Sequence, residues 1–296
     1  MELVFLGTGS MVPTKDRNHS AVFVSYRNEG ILVDCGEGTQ RQLKIAGINQ
    51  NKITKILITH WHGDHSFGLI PLMQSLGSTD YHGVLEIYGP EKTIDTIRAL
   101  NRAFPSESRL RFVVKEIESG QFFENKDFCL EAAKLDHSVP CLGFAFIEKD
   151  RRKISKQALK KTGLPEGPLV GELQEGKIVT WQNKKIRPED VSSIVKGKKI
   201  AFVSDTAMCR NAVLLAKDAD LVVCEATFAD DVGEKADSYK HLTAENAGMI
   251  ANKANAKKLV LTHFSQRYKT SQQIEEDARN VFDNVVCAKD FMRVVI

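Results

Sequence analysis

His60-Trp61-His62-Gly63-Asp64-His65 follows directly on the apolar run Ile53-Thr54-Lys55-Ile56-Leu57-Ile58-Thr59. Three imidazoles and a carboxylate fall within six positions, at the end of a stretch that reads as a buried strand. A loop there can curl so that all four side chains converge on one small volume. Imidazole nitrogen and carboxylate oxygen are natural zinc ligands, and two ligand pairs this close predict two metals side by side. A chance gathering of histidines on a surface turn is the poorer reading, because half-buried charge without a partner is costly.

The other histidines extend the pattern. The chain has eight, at positions 19, 60, 62, 65, 82, 137, 241 and 263. His137 closes the run 130–137, and His263 closes the run 258–263. His241 stands in a loop with Leu242 and Thr243, and Asp205 sits at the end of the apolar run that includes Phe202 and Val203. Taken singly, each would be an ordinary polar residue at a strand end. Open sheets gather ligands outside strand ends, so the same position repeated beside the 60–65 motif points to one centre. His19 and His82 carry no role on this reading.

Composition sets the frame. The chain of 296 residues is 42% hydrophobic, enough for a sizeable core in one large domain or two small ones. No apolar stretch approaches the ~20 residues that span a membrane. The start, Met1-Glu2-Leu3-Val4-Phe5-Leu6, runs straight into a strand without a basic leader, so no signal peptide is expected. Six cysteines, at positions 35, 129, 141, 209, 224 and 287, make no CxxC pair. They read as reduced, mostly buried thiols of a cytoplasmic protein.

The overall charge of +3 is unevenly spread. Residues 149–199 hold fourteen Lys and Arg against six Asp and Glu, a net +8 that leaves −5 for the rest. This segment is interrupted by Gly163-Leu164-Pro165-Glu166-Gly167-Pro168 and by Arg187-Pro188. Gly and Pro break regular structure, so it reads as an excursion from the core. A solvated surface helix would explain the charge, and so would contact with a polyanion, where phosphate neutralisation releases counterions. Elsewhere, strand-like runs at 3–6, 21–25, 31–33, 53–59 and 85–88 alternate with helical patterns. The helices are expected at 39–48, 68–76, 93–100, 211–219, 243–254 and 271–281, with Thr243 and Ser271 as N-caps. Strands and helices in both halves, with ligands from both, predict an α/β architecture of two sheets packed face to face with helices outside.

The ordered set His60-x-His62-x-Asp64-His65, His137, Asp205 and His263 resembles that of the metallo-β-lactamase superfamily. Pro13-Thr14-Lys15-Asp16-Arg17-Asn18 resembles the PxKxRN loop of the ribonuclease Z family, endonucleases that trim tRNA precursors at the 3′ end. Val33-Asp34-Cys35-Gly36-Glu37-Gly38-Thr39-Gln40 is similar to that family's early strand-turn signature. Glu225-Ala226-Thr227 resembles its HEAT motif, with Cys224 where His is frequent, and His241-Leu242-Thr243 resembles its HST motif. Gly167-Pro168 looks like the glycine-proline arm that holds the tRNA elbow.

The resemblance covers essentially the whole chain. It implies a metallo-β-lactamase αββα sandwich of two mixed sheets, one domain over 1–296 with an inserted tRNA-binding arm at 149–199. It implies two zinc ions per subunit, one held by His60, His62 and His137, the other by Asp64, His65 and His263, with Asp205 between them. His241 and Glu225 would handle a proton, and the departures at Cys224 and Leu242 leave the reacting residues in place. Lys15, Arg17 and Asn18 would meet RNA near the cut, and Gly167 and Pro168 would meet it on the arm. The family's homodimers let one subunit's arm hold RNA that the other cuts, and the same is expected here.

The implied reaction is zinc-dependent removal of the 3′ trailer from precursor tRNA by a metal-bound hydroxide attacking phosphorus. Products would be a tRNA with a 3′-hydroxyl and a trailer with a 5′-phosphate. Two zincs about 3.5–4 Å apart can activate water and hold phosphoryl oxygens. Asp64 could take the water's proton, or serve as a ligand with no acid-base duty. His241, oriented by Glu225, would protonate the departing 3′ oxygen. Trp61 is expected to pack, with base stacking the lesser reading. A related metallohydrolase of small phosphodiesters, thioesters or lactams would have no need of the basic segment. A non-catalytic RNA-binding protein with structural zincs would favour closed, cysteine-rich sites.

Overall fold

Short apolar runs bounded by glycines and polar turns become the strands of a computed structural model that describes residues 1–105 and 109–296. Among the described residues, fourteen strands form two seven-stranded sheets. The first runs, edge to edge, Arg293–Val295, Glu2–Gly7, Ala21–Tyr26, Glu29–Val33, Ile53–Leu57, Leu85–Gly89 and Phe112–Glu116. Its first four strands pair antiparallel and the last four parallel. The second runs Val285–Cys287, Leu259–Thr262, Leu221–Glu225, Lys199–Val203, Cys141–Glu148, Phe128–Leu135 and Gly120–Glu124, with the first four parallel.

Both faces of these sheets are apolar, as buried parallel strands require. One face of the first sheet, with Val4, Leu6, Ile56 and Ile87, packs under helices that supply Leu43, Leu72, Leu76 and Ile97. The other face meets the second sheet, where Tyr26 lies edge-on to Phe146 at 5.1 Å between ring centroids and Leu142 N donates to Thr59 O. The helices Thr39–Ile45, Leu69–Gly77, Thr93–Ala103, Arg210–Ala216, Ala244–Lys253 and Gln272–Arg279 fall where apolar spacing places them. Thr243 caps its helix through Asn246 N, but Ser271 makes no side-chain cap. The edge strands Phe112–Glu116 and Arg293–Val295 escape the sequence reading because half of each faces solvent. Among the described residues no helix is long and apolar enough to cross a membrane, and all six cysteines are free.

The chain divides into two compact units. The larger comprises Met1–Phe123, Leu130–Phe146 and Lys199–Ile296 and contains the histidine motif. The smaller comprises Glu124–Cys129 and Ile147–Lys198. The smaller unit is more than an irregular excursion. Arg151–Ile154 pairs antiparallel with Ser192–Val195, and Val179–Trp181 forms a hairpin with Lys184–Ile186. Two helices, Lys156–Thr162 and Pro168–Gln174, close over a core of Leu159, Leu164, Leu173, Val179, Ile186 and Val191. Ser155 caps the first helix and Gly163 ends it at φ 73°, a left-handed conformation that costs glycine nothing. Its apolar residues are too widely spaced to show a period, while the glycines and prolines that read as breakers serve as helix ends.

Candidate metal centre and active site

Strand ends of both sheets deliver the cluster. His60 follows Ile53–Leu57, and the turn Gly63–Ser66 brings Asp64 and His65 back beside it. His137 follows Phe128–Leu135, Asp205 follows Lys199–Val203, and His263 follows Leu259–Thr262. His263 is left-handed at φ 63°, an uncommon conformation for a side chain larger than glycine.

Ligand-capable atoms fall into two groups that meet at one carboxylate. His60 Nε2 and His137 Nε2 lie 3.0 and 3.3 Å from His62 Nδ1. His65 Nε2 lies 3.1 Å from His263 Nε2, and Asp64 Oδ2 stands 3.4 Å from the latter. Asp205 spans the two: Oδ2 is 3.6 Å from His60 Nε2 and 3.3 Å from His65 Nε2, and Oδ1 is 3.5 Å from His263 Nε2. The sets His60, His62, His137, Asp205 and Asp64, His65, His263 each bring their donor atoms within 4.8 Å of one another.

An outer shell aims the rings. The Thr59 hydroxyl donates to Asp34 Oδ2 at 2.9 Å, so towards His60 Nδ1, 3.0 Å away, it can only accept. Thr227 repeats the device: its hydroxyl donates to Glu225 Oε2 at 2.6 Å and accepts from His263 Nδ1 at 2.8 Å. His65 Nδ1 donates to Asp34 Oδ2 at 2.7 Å, and His137 Nδ1 to Lys240 O at 3.1 Å. In all four rings Nδ1 carries the outward hydrogen bond and Nε2 faces the centre, the outer-shell arrangement of metal-ligating histidines. Asp34 and Thr227 stand within the family-like motifs and Thr59 ends the run before the histidines, but sequence reasoning read none of them as aiming a ring. Asp34 follows a strand, as Asp205 does, and has φ 59°.

Charge in the cluster is finely balanced. Burial, aided by neighbouring imidazoles, holds His60 well below the usual histidine range, and burial also lowers His62 and His137. A lowered pKa favours the neutral imidazole, whose lone pair can meet a cation. His65 goes the other way: burial would lower it, but Asp205 and Asp34 outweigh burial and raise it well above that range. Burial pushes Asp64 and Asp205 up, yet the facing imidazoles win and keep both carboxylates ionised. For His241, burial works downward and the Glu225 carboxylate overcomes it, lifting the imidazole to about 9.

His241 Nδ1 lies 3.0 and 3.2 Å from the Glu225 carboxylate oxygens, and its ring stacks on His263 at 5.5 Å between centroids. Glu225 is buried and also accepts from Thr206 N at 2.8 Å. The 13–18 loop divides its labour. Lys15 is exposed. Arg17 instead donates to Tyr268 O at 2.8 Å and lies 5.1 Å over the Phe264 ring. Asn18 donates through its amide to Glu37 O at 2.7 Å and through its backbone to Asp290 Oδ2 at 2.8 Å. Asp290 also accepts from Thr8 Oγ1 and Gln42 Nε2, and so ties this loop to the first strand and first helix. Trp61 is half-buried, packs against the core of the first sheet and donates to Thr93 Oγ1 at 3.0 Å. Gly167 and Pro168 lie in the smaller unit, at the start of its second helix.

The residues fit paired cations. Asp205 Oδ1 is buried in the middle of the cluster and accepts no hydrogen bond. An ionised carboxylate oxygen so placed would be costly unless a cation were its partner. The donors are nitrogen and oxygen only, a set that suits zinc. A cleft of about 870 Å³ opens over them, lined among others by His62, Asp64, His137, Asp205, His241 and His263.

Two seven-stranded sheets that deliver His and Asp from their strand ends to one such centre define a metallo-β-lactamase-fold protein. Among solved structures, human tRNase Z, short form, superposes with a TM-score of 0.74 at 30% identity, covering 100% of this chain and 99% of that one. The metallo-beta-lactamase fold protein YhfI from Bacillus subtilis reaches 0.73 at 18% identity over 99% of this chain and 98% of its own, a likeness of fold alone. The proteins named ribonuclease Z from Picosynechococcus sp. and Lactococcus lactis subsp. lactis are 39% and 40% identical, covering 100% and 98% of this chain and 96% and 98% of their own lengths. A family model described as "Anti-Pycsar protein Apyc1" matches residues 1–158. The chain belongs to the ribonuclease Z family, and through residues 1–158 to the family that this model describes.

Proposed function

We propose that the chain is an endoribonuclease that removes the 3′ trailer from tRNA precursors, leaving a 3′-hydroxyl tRNA and a 5′-phosphate trailer. The observation that carries this reading is the Glu225–His241 pair standing against two His/Asp groups that share Asp205. Such a site has separate places for charge neutralisation and for proton delivery.

In this reading His60, His62 and His137 would hold one zinc ion, Asp64, His65 and His263 would hold a second, and Asp205 would serve both sites. Bound there, zinc supplies Lewis acidity, which eases ionisation of water and offsets charge developing at phosphorus. Asp64 takes the proton of the attacking water. His241, held as an imidazolium by Glu225, gives a proton to the departing ribose 3′ oxygen, which is too basic to leave unaided. Lys15 faces the RNA near the cut, and Arg17 and Asn18 hold the loop that presents it. Gly167 and Pro168, in the basic segment 149–199, grip the tRNA body away from the cut, and structured RNA is read there by shape and backbone. A cytoplasmic homodimer would let one subunit's arm hold RNA cut by the other.

The test is direct. Purified protein is incubated with a 3′-extended tRNA precursor, with and without a chelator, and the cut is mapped to the nucleotide. Zinc-dependent cleavage at the 3′ end of the tRNA body is expected. Uncut precursor in the presence of zinc, manganese or iron would sink the proposal.

A further inference from the structure

Among the described residues Phe67 is the most exposed aromatic, at 68%, ahead of Tyr239 at 58% and Phe104 at 57%, while Phe5, Phe128, Phe144, Phe146 and Phe264 are almost wholly buried. It stands two positions after His65 and lines the same cleft as Asp64 and His62. Exposed there, the ring would be covered by a ligand that enters the cleft.

A Cβ on Gly63 would fall 2.5 Å from Phe67 Cε2, so the ring rests against the ligand loop one residue before Asp64. The backbone beneath is pinned on both sides. Phe67 N donates to Gly63 O and Gly68 N to Cys35 O, both at 2.9 Å. A Cβ at Gly68 would lie 2.1 Å from Gly36 O, so no other residue allows this approach. A ring that is open to the cleft, on a backbone pinned beside the candidate cation site, suits a planar group carried on an anion. Lys235 and Arg267 line the same cleft and favour that anion.

We propose that Phe67 is a stacking platform for the base of a nucleotide flanking the scissile phosphate. The inference rests on the reading of the substrate as precursor tRNA. Every base has a π-face, so the platform accepts any trailer sequence. Stacking adds binding without reading sequence, which suits an enzyme whose substrates share a shape and differ in their trailers.

The experiment is a double-mutant cycle between side chain and base. Zinc-loaded wild type, Phe67→Leu and Phe67→Tyr are assayed on an intact precursor and on two precursors with an abasic ribose, one on each side of the cut. Leu214→Ala, at an exposed helix position, serves as a control. Phe67→Leu should lower kcat/KM on the intact precursor about tenfold, while Phe67→Tyr stays within about twofold. Wild type should lose about as much on one abasic precursor, and Phe67→Leu should lose nothing more on it. Wild-type efficiency unchanged on both abasic precursors overturns the inference whatever the variants do. So does full efficiency of Phe67→Leu on intact RNA, or losses that multiply. A wild type that cuts no precursor fails the RNA reading first, and the inference with it.

Discussion

Asp205 joins two histidine clusters through one carboxylate, and its Oδ1, which accepts no hydrogen bond, marks a place suited to a cation. Around it each residue's task follows from what its second polar atom touches. Asp64 Oδ2 faces His263 and His65 at 3.4 and 3.6 Å, at the edge of the pair and towards the cleft. Asp64→Ala should therefore abolish precursor cleavage while tRNA binding, measured by filter retention, is largely kept; cleavage that survives would remove Asp64 from the mechanism. In the proposed mechanism His241 and Glu225 act as one unit, because the carboxylate lies against the ring and raises its pKa. Each of His241→Ala and Glu225→Gln should lower kcat by about 10²- to 10⁴-fold. The double variant should be little worse than either alone, and multiplied losses would show that the two act separately.

At the scale of the element, what matters is how strands and loops are held in register behind the site. Lys55 lies in the strand that leads into the 60–65 motif, is buried, and pairs with Glu29 at 2.9 Å and Glu86 at 3.3 Å from the two flanking strands. Removing it leaves Glu29 and Glu86, each partly buried, without their shared cation, with Lys115 still paired to Glu86. Lys55→Ala should cost about 3 kcal/mol in urea unfolding, the scale for breaking a buried pair. Burial alone would raise Glu86, but Lys115 and Lys55 hold it below the usual glutamate range. A depressed folded-state pKa stabilises above the unfolded value and loses that effect as pH falls through the folded one. Stability should thus fade on acidification below the glutamate range, and by less in Glu86→Gln. An equal loss in both proteins would assign the effect to other groups. The 13–18 loop shows the same economy: three of its polar contacts are internal, through Thr14, Arg17 and Asn18, which leaves Lys15 to face outward.

For the molecule as a whole, the two compact units carry different chemistry. The larger contains every candidate metal ligand, and the smaller has its own apolar core and most of the basic segment. Excising residues 150–197 should abolish cleavage of precursor tRNA and spare zinc-dependent hydrolysis of a small phosphodiester. If the shortened protein still cuts precursor normally, the arm has no part in substrate recognition.

The ligand set could be read along the chain because metal chemistry admits few residue types, and because sheets present those residues at strand ends, where apolar runs stop. Helices with a strong apolar period were legible for the same reason: one side chain in three or four reports its own burial. The Thr59, Asp34 and Thr227 shell was not, since threonine and aspartate are common and acquire a role only through distances of about 3 Å to rings remote in the chain. Edge strands and the core of the smaller unit were hidden as well, their apolar residues being too few to set a period. Arg17 reads as a cation for RNA along the chain, and in the structure its guanidinium also donates to Tyr268 O and lies over the Phe264 ring. Residue identity alone thus settled which atoms are able to bind metal or carry protons. Which nitrogen of each ring faces inward, and which charges are used up inside the protein, depended on packing, because hydrogen bonds and ion pairs act over a few ångströms and linear order does not record who lies that close.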